Sequence, residues 1–154
     1  MITIKYGNLL ESNCDIICHQ VNCQGVMGSG IAKAIKDKWP EVYTIYKAYC
    51  DKAECSSDLL GKIIGLNIKD SNQIIINFCS QDNYLPRTVC HTDYMAFKMC
   101  CQKLKFYLYT HDLQNKVIGF PYRIGCGLGG GDWGKILDII TEEFKDYEVE
   151  IWKI

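Results

Sequence analysis

Residues 123–135, RIGCGLGGGDWGK, place six glycines in thirteen positions and then run into an apolar, helix-like segment. A glycine in an ordered element costs about 0.5–1 kcal/mol relative to alanine. Such a stretch is expected where something approaches the backbone too closely to leave room for a side chain. A second stretch has the same setting. Residues 23–30, CQGVMGSG, follow the apolar, β-branched run CDIICHQVN and open into IAKAIKDKW. There Ile31, Ala34, Ile35 and Trp39 fall near helical spacing.

The rest of the chain supplies a frame for these loops. ITIKY reads as a short alternating strand and CDIICHQVN as a buried central one. Pro40 breaks the first helix, and EVYTIYKAYCDKA reads as a second. LLGKIIGLNI and QIIINFC read as strands around a KDSN turn. After the loop SQDNYLPRTV, TDYMAFKMCCQKLKFYLYTH reads as a long helix with Thr92 as its N-cap. KVIGFPY is a further buried strand, DWGKILDIITEEFKDY a helix starting near Asp132, and YEVEIWKI a closing strand. Strands alternating with helices imply an α/β fold: one domain over residues 1–154, in three αβα layers around a mixed central sheet.

In open sheets of this kind ligands sit beyond the carboxyl ends of strands, at helix N-termini. Both glycine loops fall there. Together they predict a cradle whose backbone N–H groups close around a pyrophosphate; the competing reading is two tight turns. Neither loop is followed by GK[ST]. GVMGSG is not GxGxxG, and no acidic residue follows a second strand at the expected distance. A P-loop and a Rossmann dinucleotide site are therefore unsupported.

Composition narrows the ligand. Seventeen basic and eighteen acidic residues give a net charge of −1 in a chain of 154 residues, 48% of them hydrophobic. That balance excludes the broad basic field that grips extended nucleic acid but leaves room for a narrow anion site. No apolar run approaches the roughly 18 residues of a membrane span. MITIKYGNLLESN has no basic n-region or apolar h-region, so the expectation is a cytoplasmic protein, in the host cytoplasm if the chain is viral. Ten cysteines occur at irregular spacing with no CxxC. They read either as a disulfide framework or as reduced thiols used as small hydrophobes; the absence of a secretory pattern favours the second. His19, His91 and His111 do not pair with cysteines at ligand spacing, so neither a metal nor another cofactor is implied. The oligomeric state is left open.

These motifs resemble those of the macrodomain family, whose members bind ADP-ribose. The resemblance covers nearly the whole chain. IKYGNLL is similar to the family's first strand and its G-[DN]-[IL] turn, which includes Asn8 and Leu9. CHQVNCQGVMGSGIA is similar to its ribose and phosphate loop, and PYRIGCGLGGGDW to its second phosphate loop. HQVN and the P-x-R-I-G-C-G-L wording resemble the branch that contains ADP-ribose-1″-phosphate phosphatases and glycohydrolases acting on glutamate-linked or DNA-linked ADP-ribose. The resemblance implies that Asn8 accepts from the adenine amino group and that the Asn22 amide faces the distal ribose. It places Gly28, Ser29, Gly30 and Ile31 on one phosphate, and Gly125, Cys126, Gly127, Leu128 and Gly129 on the other. Trp152 matches an aromatic that stacks on adenine, or else it plugs the core near the C-terminus; Trp39 and Trp133 read as core.

Departures from the family pattern bear on the reaction. The glycohydrolases use a Lys in an N-F-x-[ST]-K motif and an Asp after G-C-G-L; here Gln81 and Gly129 stand at those positions. Gln is no Schiff-base nucleophile. The remaining candidates for catalysis are His19, Asn22, Gln81 and Asp132. His19 is either a general acid, base or nucleophile at a strand end, or a satisfied core histidine. Asp132 either activates water or caps a helix. Tyr84, Arg87 and His91 lie in a loop able to close over a distal phosphate, or are simply its polar residues. Ser29 reads as a phosphate donor. Cys23, Cys79 and Cys126 read as buried side chains, or as thiols acidified by amide-rich loops. The resemblance implies a small-molecule partner, an ADP-ribose derivative, and hydrolysis of ADP-ribose-1″-phosphate to ADP-ribose and phosphate. Alternatives are hydrolysis of O-acetyl-ADP-ribose or an ADP-ribosylated side chain, and binding of ADP-ribose without chemistry.

Overall fold

The computed structural model describes all 154 residues. Six strands and four α-helices follow in the order β1 (Ile2–Tyr6), β2 (Ile16–Asn22), α1 (Gly30–Lys38), α2 (Pro40–Lys52), β3 (Ile63–Asn67), β4 (Ile74–Gln81), α3 (Tyr94–Thr110), β5 (Ile118–Pro121), α4 (Trp133–Glu143) and β6 (Val149–Lys153). The strands form one sheet in the order β1-β6-β5-β2-β4-β3, parallel except for the antiparallel edge strand β3. This is the mixed αβα arrangement that the strand and helix pattern implies. No helix is long and apolar enough to cross a membrane.

Period-two alternation along β2 divides the core between two faces. Ile16 and Cys18 join α3 and α4 residues such as Phe97, Leu104 and Ile140; Ile17 and Val21 join Ile35, Val42 and Tyr46 of α1 and α2. Each sheet face thus buries its apolar residues beneath its own helical layer. Phe78 lies edge-on to Phe97 and Phe120, and Phe144 is tilted against Phe120, across the α3/α4 side, with neighbouring centroids 5.4–6.0 Å apart. Lys105 of α3 and Glu143 of α4 tie the two helices together at 2.9 Å. All ten cysteines are free thiols and seven of them are buried, so most act as small hydrophobes rather than as staples.

Helix starts follow local chemistry. Pro40, which needs no N–H partner, opens α2. The α3 cap is Asp93, not Thr92: the Asp93 carboxylate accepts from the Ala96 N–H at 2.9 Å. Thr92 is buried one residue earlier and bonds elsewhere. Both residue types suit an N-cap, and the following loop geometry gives the position to aspartate.

The chain runs outward from β2 to β4 and β3 on one side, then returns through α3 to β5 and β6 on the other. Strand order therefore reverses between β2 and β5, where open α/β sheets hold their ligands. The short helical turn Leu9–Glu11 packs directly on β5. A Cβ on Gly119 would lie 2.7 Å from both the Cys14 Sγ and the Leu9 Cδ1. Leu9 is thus a core residue, buried against β5, and its side chain is not available to a ligand. The Gly119→Ala variant is expected to lose about 1–3 kcal/mol by overpacking and to melt several degrees lower; an unchanged melting temperature would show that this corner yields freely.

Candidate functional site

A cleft of about 400 Å³ opens at the β2–β5 switch point, lined by the segments that follow β2, β4 and β5. The two glycine loops form opposing walls: Gly28, Ser29, Gly30, Ile31 and Ala32 on one side, Gly125, Gly127, Leu128 and Gly129 on the other. The backbone N–H groups of these nine residues donate to no acceptor in the chain. Four of them, at residues 29–32, open α1, whose N-cap Ser29 makes no side-chain capping bond. The positive end of the α1 dipole therefore reaches the cleft without a local counter-charge. Arg87 and Arg123 are the charged side chains of the lining. The combination attracts a polyvalent anion.

The glycines of the second loop answer to two different demands. At Gly125, φ is +75°, and an added Cβ would meet the Gln20 Oε1 at 3.0 Å. The fold itself requires that glycine. At Gly127 an added Cβ would find nothing within 4 Å and φ is not left-handed; Gly28 is likewise open, with only a Val26 methyl at 3.5 Å. The fold has room for a methyl group at both positions. What the bare backbone leaves free there is cleft.

Asn22 and Gln81 line this cleft side by side. A bulge in the β2–β4 pairing shifts register after Val21, so that Asn22 pairs with Gln81. Asn22 Nδ2 donates to the Val26 carbonyl at 2.8 Å, and its Oδ1 accepts from the Gln24 N–H at 2.9 Å and the Val26 N–H at 3.3 Å. The buried Tyr46 hydroxyl sits 2.9 Å from the same Oδ1, and burial raises its pKa. Asn22 therefore shapes the first glycine loop from within. Gln81 Nε2 donates to the Asn83 carbonyl at 2.8 Å, and its Oε1 accepts from Gln20 Nε2 at 2.9 Å.

Other expected site residues lie elsewhere. His19 is fully buried and lines no part of the cleft: the alternation that sends Gln20 to one face of β2 sends His19 to the other. Its Nε2 donates to Asn77 Oδ1, while Asn77 Nδ2 donates to the Ile64 carbonyl at 3.0 Å. Burial pushes the His19 pKa down to about 4, so the ring is neutral. This is a core histidine, out of reach of a ligand in the cleft. Asp132 is an exposed helix cap whose carboxylate accepts from the Lys135 N–H at 3.3 Å, and it too lies outside the lining. The Cys126 side chain turns into the α3/α4 core, and burial raises its pKa, as the neighbouring Cys79 thiol and burial do for Cys23. These are not acidified thiols. Trp133 packs edge-on against Tyr122 at 5.3 Å, and Trp39 is buried.

Asn8 and Trp152 lie beyond the lining, along the same carboxyl edge of the sheet. The Trp152 ring lies against Gly7 and its Nε1 donates to Glu150 at 2.9 Å. The Asn8 side-chain Oδ1 caps the Leu9–Glu11 turn by accepting from the Leu10 N–H at 2.9 Å. Gln20, Tyr84, Arg87, Tyr122 and Arg123 complete the cleft. Gln20 and Arg123 lie within HQVN and P-x-R-I-G-C-G-L, but neither motif assigned them a role; period two along HQVN separates Gln20 from His19.

His19 yields a pH prediction. Between its unfolded value of 6.5 and its folded value of about 4, the unfolded chain binds a proton that the native state excludes. Stability is therefore lost as pH falls through that window, by about 3 kcal/mol in full. Melting curves of wild type and His19→Gln from pH 7 to pH 4 should converge as the pH drops. Parallel curves would contradict a neutral, buried His19.

Sequence comparison agrees with this geometry. The Macro domain family model matches residues 18–140, a span that includes both glycine loops. A DNA ADP-ribosyl glycohydrolase of Mycobacterium tuberculosis is 28% identical over 148 residues, covering 94% of this chain and 39% of that protein. The chain thus spans about two-fifths of the length of that relative. An ADP-ribose 1″-phosphate phosphatase of Aspergillus clavatus is 40% identical over 53 residues, 29% of this chain and 27% of that protein. Among solved structures, the macrodomain of Mycobacterium tuberculosis DarG superposes with a TM-score of 0.83 at 26% identity, covering 99% of this chain and 97% of that one. A switch-point cleft walled by two glycine loops, in a chain whose sequence matches the family through both, has one reading: this chain belongs to the Macro domain family.

Proposed function

We propose that the chain binds ADP-ribose in the β2–β5 cleft and hydrolyses ADP-ribose-1″-phosphate to ADP-ribose and phosphate. One observation carries this reading: nine residues with uncommitted backbone N–H groups line a cleft whose charged lining residues are both arginines. Amide donors on two opposing loops suit the two phosphates of a pyrophosphate. Gly28–Ile31 take one phosphate and Gly125, Gly127, Leu128 and Gly129 the other; the Cys126 N–H is spent on the Arg123 carbonyl at 2.9 Å. Asn8 and Trp152 hold the adenine end at the edge beside β1; base stacking of this kind contributes about 1–3 kcal/mol.

The lining favours a phosphoryl substrate over a glycosidic one. Phosphomonoester hydrolysis relies mainly on positioning and on stabilising charge on the phosphoryl oxygens. The cleft offers those means: Arg87 for the dianion, and the Asn22 and Gln81 amides for the attacking water and the distal ribose. Water attacks phosphorus, the bond from phosphorus to the 1″-oxygen breaks, and the water proton passes through the phosphate oxygens to the leaving oxygen. His19 and Asp132 take no direct part.

A second reading has its own support. Similarity to the DNA ADP-ribosyl glycohydrolase runs through 94% of this chain, against 29% for the phosphatase. On that reading the substrate is ADP-ribose attached to a nucleic acid base, and the cleft holds the same ADP-ribose. Gln81, at the position where the family resemblance places lysine, weighs against it, because an amide forms no covalent adduct with the opened sugar.

The test is a three-way assay on purified protein: phosphate release from ADP-ribose-1″-phosphate, ADP-ribose release from an ADP-ribosylated DNA oligonucleotide, and calorimetric binding of ADP-ribose. Binding with phosphate release is the expected outcome. Release from the oligonucleotide alone would establish the second reading, and binding with no turnover would leave a binding module. Gly127→Ala should leave the melting temperature within a degree or so, since the fold has room for the methyl. It should weaken ADP-ribose binding about tenfold or more, because the methyl enters the anion cradle.

A further inference from the structure

The second glycine loop lacks a strand or helix of its own, yet a ligand-ready cradle must be rigid before binding to avoid an ordering cost. A chain of side chains from three other segments grips it. Ser80 Oγ, fully buried at the end of β4, donates to Gln20 Oε1 at 2.7 Å. Gln20 Nε2 spends its two hydrogens on Gln81 Oε1 at 2.9 Å and Thr92 Oγ1 at 3.0 Å. Thr92 Oγ1 donates in turn to the Gly125 carbonyl at 2.6 Å. The Gly129 carbonyl then accepts from the His91 N–H at 2.8 Å and the Thr92 N–H at 3.1 Å. Every hydrogen in this series has an acceptor within reach, and the shorter contacts run from Ser80 through Gln20 and Thr92 to the Gly125 carbonyl.

The loop glycines match this grip. A Cβ on Gly129 would lie 2.8 Å from Gln20 Nε2, from Thr92 Oγ1 and from the Gly125 oxygen, and one on Gly131 would lie 2.7 Å from that oxygen. Both residues are bare because the clamp occupies their side-chain space. The close approach inferred from so many glycines is thus, at these positions, an approach by the protein itself. Carbonyls drawn toward Thr92 leave the N–H groups of Gly125, Gly127, Leu128 and Gly129 free for the cleft.

We propose that Thr92 and Gln20 are positioning residues that lock the second glycine loop in its anion-binding shape before ligand arrives. The same lock joins that loop to the segment carrying Tyr84 and Arg87, because Thr92 ends that segment and pairs with Gln81 in an isolated β-bridge. Thr92 lies outside the cleft lining, so its effect on ligand is transmitted through the loop carbonyls. The choice of ADP-ribose as probe rests on the function proposed above; the rigidity of the free loop does not.

The experiment compares wild type, Thr92→Val and Thr92→Ser by two readouts. The first is the amide order parameters of residues 125–131 in ligand-free protein. Wild type and Thr92→Ser should sit near the rigid value of about 0.85, and Thr92→Val below about 0.6. The second is calorimetric affinity for ADP-ribose, expected to fall about tenfold for Thr92→Val and to be restored within twofold by Thr92→Ser. A loop that stays rigid in Thr92→Val, with affinity within twofold of wild type, overturns the proposal. If Thr92→Val fails to fold, Gln20→Met, which removes the donor that orients the Thr92 hydroxyl, is judged by the same order-parameter limits alone, because Gln20 itself lines the cleft. Failure of wild type to bind ADP-ribose would sink the proposed function, while the order parameters would still decide the clamp.

Discussion

Backbone amides without internal partners govern this molecule. An N–H group is costly when neither protein, water nor ligand pairs it, and nine without a protein partner gather at one end of the sheet, on residues that range from exposed to buried. The parallel strands β2 and β5 bring the two loops together there, since connections that diverge from a switch point leave a crevice beyond the strand ends. The α1 dipole and two arginines add positive potential on one side of a chain whose net charge is −1. An anion bound here satisfies groups that the fold leaves open.

That arrangement separates two kinds of residue that look alike in sequence. Gly125 and Gly129 have no side chain because Gln20 and Thr92 stand where it would go; Gly28 and Gly127 have none although the space is open. The first pair builds the wall and the second keeps its surface bare. Asn22 shows a similar division. Its amide is committed to the loop that it shapes, through Gln24, Val26 and Tyr46, while one edge lines the cleft.

Much of this was legible in the sequence, for local reasons. Strand and helix periodicity, the Pro40 break and the two glycine loops at strand ends depend on nearby residues, and the αβα sheet followed from their alternation. The family motifs lie within the same segments. What failed depended on direction or on distance. His19 and Gln20 are neighbours at a strand end, and only their opposite faces decide which one meets the cleft. Thr92 has the chemistry of a helix cap, but its true partners are Gln20 and Gly125, separated from it by 72 and 33 residues. Asp132 is a helix cap, the role that its place before an apolar helix favours.

The proposed function requires the two glycine loops to act together as one anion cradle. The most direct measurement is a titration of isotopically labelled protein with ADP-ribose, following backbone amide resonances. The amides of residues 28–32 and 125–129 are expected to shift together, with one common saturation curve, and to shift most among backbone amides near the cleft. Shifts confined to one loop, or clustered away from both, would contradict it.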